Sequence, residues 1–146
     1  MFPKFVDMLD LQHEACRVIQ RVVVAEAGCV TSCAAAGIAI GVAACMTGPD
    51  MAKVEQLPDT TGLKNEVIIQ RGHVVWFGAP VTQMVRLTGA KVAEIGDVNR
   101  AGVYQLEGTI WENIAAALYV ASHHTVRYGL IALEDSVKLP MPTGYQ

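Results

Sequence analysis

The sequence predicts an α/β fold in which a mostly parallel sheet is flanked by helices. Short β-branched runs alternate with stretches of helical periodicity, and turns rich in glycine and proline separate them. The chain has 146 residues, of which 52% are hydrophobic and 17% are charged, so it can bury a core and is too apolar for a disordered segment. We therefore expect one folded unit.

Two helices are expected in the first third of the chain. Between Asp7 and about Val24, apolar residues recur at three- and four-residue steps, and Asp7 is a suitable N-cap. A short link at residues 26–30 follows and could form a brief strand. A second helix, apolar on nearly every face, is expected to run to about Cys45, before residues 47–50 end it.

The middle of the chain contains the clearest strands. Residues 47–65 include two prolines and two glycines, which indicates a surface loop with a turn. A buried strand is expected at Glu66–Gln70, where Arg71–His73 ends it. A third helix is expected at about residues 80–87, and the next strand at Lys91–Ile95; a glycine follows each of them.

The last third is predicted from a helix start and a hydrophobic run. Thr109 and Glu112 have the spacing of a capping box, in which each side chain satisfies a free amide of the first helical turn. A helix to about Ser122 is therefore expected, with Glu112 interpreted as a cap. Residues 128–133 are a candidate fourth strand, and residues 139–144 are expected to be an unstructured tail.

Charge and hydropathy narrow the choice of partners. The formal net charge is -3 and the eleven Lys and Arg residues form no cluster, so nucleic acid, including tRNA, is not an expected partner and a small-molecule ligand is favoured. The most apolar stretch, residues 34–46, is shorter than the roughly 20 residues of a membrane span. Because no secretory signal is visible after Met1, a cytoplasmic location is expected.

The four cysteines are expected to be reduced, buried thiols that behave as small hydrophobic groups. Their count also permits two disulfides. The only close groupings are His13 with Cys16 and Cys29 with Cys33, and neither is accompanied by a second pair at zinc-site spacing. No metal is therefore expected.

Three loops at the expected carboxyl edge of the sheet are candidate binding segments, because ligands of parallel sheets bind where strands end and helices begin. They are Thr31–Ala34, Arg71–His73 and Asp97–Arg100. In the first loop, small residues open an alanine-rich helix, whose free amides and positive dipole end attract a phosphate. An ordinary N-cap on a core helix is the alternative for the same residues, and the local pattern favours it.

Four segments, in this order and spacing, resemble one known family. They are residues 26–36, residues 57–68, Arg71–His73, and residues 89–100. On these segments the chain is identified as similar to the selenocysteine synthase-like group of fold-type I pyridoxal-phosphate (PLP) enzymes, over about residues 8–135. That group also includes amino-sugar phosphate ammonia-lyases.

The resemblance implies cofactor-binding roles for two of the loops. Thr31, Ser32, Cys33 and Ala34 match the segment that leads into the helix holding the PLP phosphate, although many relatives have glycine at the position of Cys33. Backbone amides would still serve there. His73 matches the position that stacks on the pyridine ring, and a surface or capping histidine is the alternative.

The third loop is implied to bind substrate. Asn99 and Arg100 match an Asn-Arg pair that follows the second long strand of selenocysteine synthases. The planar guanidinium of an arginine there suits an anionic substrate group, because it pairs with a carboxylate or phosphate through two hydrogen bonds. A solvated loop cation is the alternative for Arg100.

The chain departs from the family in its catalytic residues. The resemblance implies that later strands carry an aspartate for the pyridine nitrogen and the lysine that forms the internal aldimine. Lys64, Lys91 and Lys138 do not match that lysine, so no catalytic residue is assigned. Residues 1–135 are expected to be the amino-terminal part of the PLP-binding large domain, and residues 136–146 a tail.

The resulting hypothesis is a truncated PLP-dependent lyase or transferase that acts, in its full-length form, on a small amino compound. The ammonia-lyase-like branch is preferred over selenocysteine synthesis. The alternatives are a non-catalytic binding or assembly module and a fragment without function. A homo-oligomer is expected for an enzyme and for a module alike, because part of a parallel sheet exposes apolar edges.

Overall fold

The computed structural model describes residues 5–126 and 128–139. The chain divides after Gly37 into two compact units. The first contains helix α1 and the segment leading into α2, and the second contains the whole sheet. In the described part of the chain, no helix has both the length and the apolar character needed to cross a membrane.

Helix α1 (Met8–Val23) forms as the sequence predicts. The carboxylate of Asp7 accepts hydrogen bonds from the amides of Leu9, at 2.7 Å, and Asp10, at 3.3 Å, which satisfies donors that the first helical turn leaves free. Apolar side chains at i, i+3 and i+4 spacing share one exposed face of the helix. We call this the α1 stripe: Met8, Leu11, Val18 and Val22. Residues 26–30 form no strand.

The sheet consists of β1 (Glu66–Gln70), β2 (Lys91–Ile95) and β3 (Ile114–Leu118) in the order β2-β1-β3. Both neighbouring strands pair with β1 in parallel. Residues 66–70 and 91–95 form strands within the boundaries that the sequence predicts. The α/β fold with a parallel sheet flanked by helices is thereby confirmed.

The core lies on both faces of the sheet. Val67 packs with Val42 and Met46 of helix α2 (Ala34–Thr47), whereas its neighbour Ile68 packs with Leu106 on the other face. Adjacent side chains of a strand point to opposite faces, so β1 must be apolar at consecutive positions. Burying one such side chain fully contributes about 1.5–3 kcal/mol.

The sequence predicts a surface loop at residues 47–65, but this segment contains helix α3 (Met51–Gln56). The Asp50 carboxylate accepts hydrogen bonds from the amides of Ala52, at 3.0 Å, and Lys53, at 3.4 Å. The glycine and proline before Asp50 indicate the end of a helix, but they do not prevent a new helix from starting after a good N-cap. Later helices are α4 (Val81–Leu87), α5 (Val103–Thr109) and α6 (Leu133–Val137), and Arg71–His73 form a 3-10 turn.

The helix predicted from Thr109 to Ser122 is wrong. Thr109 ends α5, and its hydroxyl donates to the carbonyl of Gln105 at 2.7 Å instead of capping a new helix. The following alanine-rich residues form β3, and Glu112 caps no helix. Alanine favours a helix intrinsically, but pairing with β1 and burial of Ile114 against the sheet outweigh that small preference.

The strand predicted at residues 128–133 is also wrong. The side-chain amide of Gln70 donates to the carbonyl of Ile131 at 3.1 Å and accepts from its amide at 2.7 Å. The backbone groups of Ile131 that would pair with a neighbouring strand are therefore bonded to a side chain. Leu133 already begins α6, which ends at Val137 and so extends past residue 135, after which the tail is predicted. Leu139 packs against the core, and residues 140–144 of the predicted tail lie outside the described residues.

Candidate functional site

The carboxyl ends of the three parallel strands lie at one edge of the sheet, and the segments that follow them pack together there. A side chain on Gly72 would have its Cβ 2.4 Å from the carbonyl oxygen of Val98 and 2.6 Å from Leu130. The amide of Val126 donates to the carbonyl of Gly72 at 3.5 Å. Glycine is therefore required for the segments after β1 and β2 to approach this closely.

His73 lies at the centre of this edge and is only 1% exposed. Its Nδ1 accepts a hydrogen bond from the amide of Val120 at 3.3 Å, and its ring makes a T-shaped contact with the ring of Tyr119, with 4.5 Å between centroids. Because Nδ1 acts as an acceptor, the proton of the neutral ring is on Nε2. Burial lowers the pKa of His73 and so favours this neutral form. A surface histidine is excluded by this burial.

A cavity of about 420 Å³ adjoins His73 and is lined mainly by the segment after β3. Ser122 and Thr125 give it a polar wall, held in a turn by a 2.7 Å hydrogen bond from the Thr125 hydroxyl to the Ser122 carbonyl. His124, next to the lining residue His123, stacks on Phe77 at 4.6 Å. We call this space the His73 cavity.

Asn99 and Arg100 lie together in a second cavity of about 710 Å³ at the same edge of the sheet. Their turn is closed by a 2.7 Å hydrogen bond from the amide of Asp97 to the carbonyl of Arg100. Both side chains are exposed. The structure therefore brings Asn99 and Arg100 into one wall, but that wall is separate from the His73 cavity.

Thr31, Ser32, Cys33 and Ala34 lie in the first unit, where they open helix α2. The hydroxyl of Thr31 donates to the carbonyl of Cys33 at 2.9 Å, and Ser32, Cys33 and Ala34 are exposed. Hydrogen bonds from the amide of Ala36, the Ser32 side chain and another helix amide lower the pKa of Cys33. The thiol thus occupies the end of the helix where an anion would be stabilised.

The cysteines differ from the expectation of buried thiols. All four are free, but Cys29, Cys33 and Cys45 are exposed. Cys29 lies in the link between α1 and α2, and Cys33 comes before the first helical turn, so neither belongs to a packed helix face. Among the described residues, no three side chains of histidine, cysteine, aspartate or glutamate come together as a metal site.

The described lysines lie away from the His73 cavity. Lys91 is the first residue of β2 and, with Lys64, lines a cavity of about 640 Å³ that also includes residues just before β1 and β3, at the amino edge of the sheet. Lys138 pairs with Asp135 at 2.9 Å on the surface. Residues 5–126 and 128–139 therefore contain no lysine in the wall around His73.

No family model matches the chain. The D-glucosaminate-6-phosphate ammonia lyase of Salmonella typhimurium is 45% identical over 135 residues, which cover 92% of this chain and 37% of the relative. A solved structure of a D-glucosaminate-6-phosphate ammonia-lyase superposes with a TM-score of 0.82, over 92% of this chain and 37% of that one. An L-seryl-tRNA(Sec) selenium transferase of Alkaliphilus metalliredigens is 34% identical over 76 residues, or 51% of this chain and 16% of the relative. The resemblance to the selenocysteine synthase-like family is confirmed.

The relatives of this chain carry names that describe different chemistry. A 5'-C-glycyluridine monooxygenase-decarboxylase of a Streptomyces species is 35% identical over 136 residues, which cover 92% of this chain and 34% of that relative. The chain spans about a third of the length of the relatives that match most of it. Similarity over this third shows the fold, but it does not decide between lyase, decarboxylase and transferase chemistry.

Several residues of the site are not predicted from the sequence. Tyr119 and Val120 hold His73, yet they lie in a segment that the sequence assigns to a helix. Gln70 fixes the backbone of Ile131 at the same edge. A polar residue that ends a buried apolar strand is the signal that could have indicated Gln70, because a buried amide needs hydrogen-bond partners.

Proposed function

We propose that this chain forms one wall of a PLP site in a lyase or transferase that acts on a small amino compound, with an ammonia-lyase-like reaction preferred. The observation that carries the proposal is the neutral, amide-held ring of His73 at the carboxyl edge of a parallel sheet. The 45% identity to a D-glucosaminate-6-phosphate ammonia lyase supports the choice of branch.

The segment before helix α2 fits the phosphate of the cofactor. Helix α2 has 14 residues, and the exposed hydroxyl and thiol before its first turn suit an anion at the positive end of the helix dipole. Thr31, Ser32, Cys33 and Ala34 would hold the phosphate chiefly through backbone amides. The sulfur of Cys33 accepts from the neighbouring amides of Ala36 and Ala35, so a phosphate bound at this helix end would displace the sulfur from them.

His73 would pack against the cofactor ring. Because His73 is 1% exposed, the side chain of Tyr119 has to move aside before one face of the imidazole can contact a pyridine ring, while the amide of Val120 keeps its bond to Nδ1. The neutral ring avoids placing a charge beside an aromatic cofactor in a poorly solvated site. A bound PLP supplies the electron sink for a developing carbanion.

Arg100 and Asn99 would bind an anionic group of the substrate. Both side chains reach solvent from a cavity of about 710 Å³, which is large enough for a small amino compound. The guanidinium can donate two parallel hydrogen bonds to a carboxylate or phosphate, and the amide of Asn99 can add a third donor. No proton-transfer role is assigned to either residue.

A non-catalytic module is the second candidate, and a specific observation favours it. Within the described ranges, no lysine lines the His73 cavity, so these residues offer no group there to form a Schiff base with PLP. A fragment without function is the remaining alternative, and it predicts a chain that shows no cooperative unfolding transition.

Titration of the chain with PLP tests these proposals together. We expect weak binding that inorganic phosphate competes away, without an absorption band that borohydride reduces. Replacement of both Ser32 and Cys33 by proline is expected to abolish this binding, because proline lacks the amide donor, whereas Cys29→Ala is the control in a neighbouring exposed cysteine. A borohydride-reducible adduct would contradict the assignment of no catalytic lysine, and binding unaffected by the double substitution would contradict the phosphate cradle.

We also propose that the chain is a cytoplasmic homo-oligomer without a nucleic-acid partner. The four free thiols are consistent with a reducing compartment, and the exposed α1 stripe favours self-association. The formal charge of -3 disfavours tRNA. Retention of a tRNA by the protein in a filter-binding assay at physiological salt would contradict the last point.

A further inference from the structure

Gln70 is a buried polar residue at the end of a strand whose central residues are apolar. It is 5% exposed, and its side-chain amide bonds to both backbone groups of Ile131, at 3.1 Å and 2.7 Å. A residue of a paired strand forms its backbone hydrogen bonds in the same way. Burying an amide is costly unless its hydrogen bonds are made, so this pair of bonds both satisfies Gln70 and fixes Ile131 along the chain direction.

The segment held in this way, residues 129–131, lies against the turn of Asn99 and Arg100. The carbonyl of Gly129 accepts a hydrogen bond from the amide of Ala101 at 2.9 Å. Gly129 has a φ of 82°, and a Cβ there would overlap the carbonyl oxygen of Asn99. Gly129 also lines the same cavity as the Asn99 and Arg100 side chains. The segment therefore supports the turn and forms part of the cavity wall.

The backbone of Arg100 is held on its other side by the end of β2. Its carbonyl accepts from the amide of Asp97 at 2.7 Å, and a Cβ on Gly96 would lie 2.6 Å from the same oxygen. The side chain of Arg100, by contrast, is exposed. Because an exposed side chain is positioned mainly through its backbone, these supports decide where the guanidinium can meet a ligand.

We propose that Gln70 is a positioning residue for Arg100. By binding both backbone groups of Ile131, it holds residues 129–131 against the Asn99–Arg100 turn and so presents the guanidinium to an anionic group. Gln70 itself lies outside the wall of that cavity. The inference rests on the proposed role of Arg100 in binding an anionic group of the substrate.

Packing of the Ile131 side chain is the alternative support for this segment. Ile131 is 4% exposed and packs with Ile68 and Leu106 in the core. Apolar contacts are non-directional, so they hold the segment on the sheet without fixing its position along the chain. Two hydrogen bonds to one residue do fix that position. Substitutions at position 70 remove these bonds and leave the apolar contacts of Ile131 in place.

Gln70→Glu tests the positioning by its pH dependence. A protonated glutamic acid has a donor and an acceptor, as glutamine has, whereas a carboxylate cannot donate to the carbonyl of Ile131. Sulfate, which stays fully ionised, is the probe, and NMR at the Arg100 side chain follows its binding between about pH 5 and about pH 9. Relative to wild type at the same pH, Gln70→Glu should bind about tenfold or more weakly when ionised. It should recover at about pH 5, because burial raises the pKa of a glutamic acid.

Gln70→Leu is the matched variant that cannot titrate at this position. It keeps the other titratable groups nearby, including His73 and the Arg71–Glu94 pair, and should bind sulfate weakly at every pH. Arg100→Gln locates the probe and should abolish its binding. Wild-type affinity in Gln70→Leu, or weak binding by the glutamate variant that persists at about pH 5, would overturn the proposal.

Amide hydrogen exchange measures the positioning without a ligand. The Ala101 amide, bonded to the carbonyl of Gly129, should lose protection by about tenfold or more in Gln70→Leu. The Lys91 amide, bonded at the opposite edge of the sheet, is the reference and should keep its protection. Unchanged protection of Ala101, or an equal loss at both amides, would contradict a local role for Gln70.

A glycine pair tests the same contact without altering Gln70. Gly129→Ala should push the segment from the turn, whereas Gly62→Ala, with a φ of 77° and open space around an added Cβ, introduces the same backbone strain elsewhere. Only Gly129→Ala should weaken sulfate binding and expose the Ala101 amide, and equal effects would overturn the proposal. If wild type binds no sulfate, the proposed role of Arg100 is wrong, while exchange at Ala101 still decides the role of Gln70.

Discussion

At the scale of single residues, His73 shows how distant parts of the sequence define one chemical group. Its acceptor bond from the amide of Val120 joins residues 47 positions apart and fixes the tautomer of the ring. Burial keeps that ring neutral by lowering its pKa. An exposed histidine at the same strand end would titrate freely and would present no defined face.

His73 should make the stability of the fold depend on pH. Its pKa is lowered in the folded chain from an ordinary value of 6.5, so at lower pH the unfolded chain binds more protons than the folded chain. The stability contributed by the neutral ring is therefore present above about pH 6.5 and is lost as pH falls through the folded-state pKa. Urea unfolding between about pH 5 and pH 7.5 should show this loss for the wild type and a flatter profile for His73→Phe.

His13→Gln is the control for the His73 experiment, because His13 is exposed on α1. It should keep the pH dependence of the wild-type chain. The comparison uses the slope of the free energy of unfolding against pH, so a loss of overall stability in His73→Phe does not affect it. A slope that His73→Phe leaves unchanged would show that other groups cause the dependence.

At the scale of elements, β3 shows that long-range strand pairing can override the local preference for a helix. Its alanines prefer a helix by a few tenths of a kcal/mol per residue, and a capping-box pattern precedes them. Parallel pairing with β1 and burial of Ile114 outweigh both signals. The result places Tyr119 and Val120 at the carboxyl edge, where they contact His73.

Glycine 89, between α4 and β2, gives a test at this scale. Gly89 has a φ of 85°, and a Cβ there would lie 2.0 Å from the carbonyl oxygen of Pro58, so Gly89→Ala should destabilise the fold by at least about 2 kcal/mol. Gly108 in α5 has no atom within 4 Å of an added Cβ. Gly108→Ala should therefore be neutral or stabilise by up to about 1 kcal/mol, because alanine is the better helix former. Chemical denaturation measures both changes, and equal effects would contradict the close approach.

The part of the fold that could be predicted is the part with buried β-branched strands and clear caps. The sequence predicts strands Glu66–Gln70 and Lys91–Ile95 correctly because each is a short apolar run bounded by turn residues. The positions of His73 and Arg100 follow from these strands. What could not be predicted depends on long-range pairing: the strand identity of residues 114–118 and the hydrogen bonds that Gln70 makes to Ile131.

At the scale of the whole molecule, the two compact units divide the candidate residues between them. Thr31, Ser32, Cys33 and Ala34 belong to the first unit, whereas His73, Asn99 and Arg100 belong to the second. The residues proposed to bind the phosphate therefore lie in one unit, and those proposed to bind the ring and the substrate lie in the other.

Self-association is the prediction at this scale. If the α1 stripe mediates it, sedimentation equilibrium should give a mass that is a multiple of 15.7 kDa for the wild type and a lower average mass for Leu11→Glu. Leu9 is also exposed but lies off the stripe, so Leu9→Glu is the matched control. A monomeric wild type, or equal masses for the two variants, would contradict association through α1.

Tyr119 lines two spaces, the His73 cavity and an apolar cavity of about 370 Å³ whose wall also includes Ile68 and Leu106. Any occupant of the apolar cavity that displaces this ring also changes the surroundings of the imidazole that the ring contacts. Thermodynamic linkage then makes the effect reciprocal: if filling the apolar cavity alters ligand affinity at His73, ligand binding at His73 must alter the affinity of the apolar cavity for its occupant by the same factor. One tyrosine thus couples the two cavities.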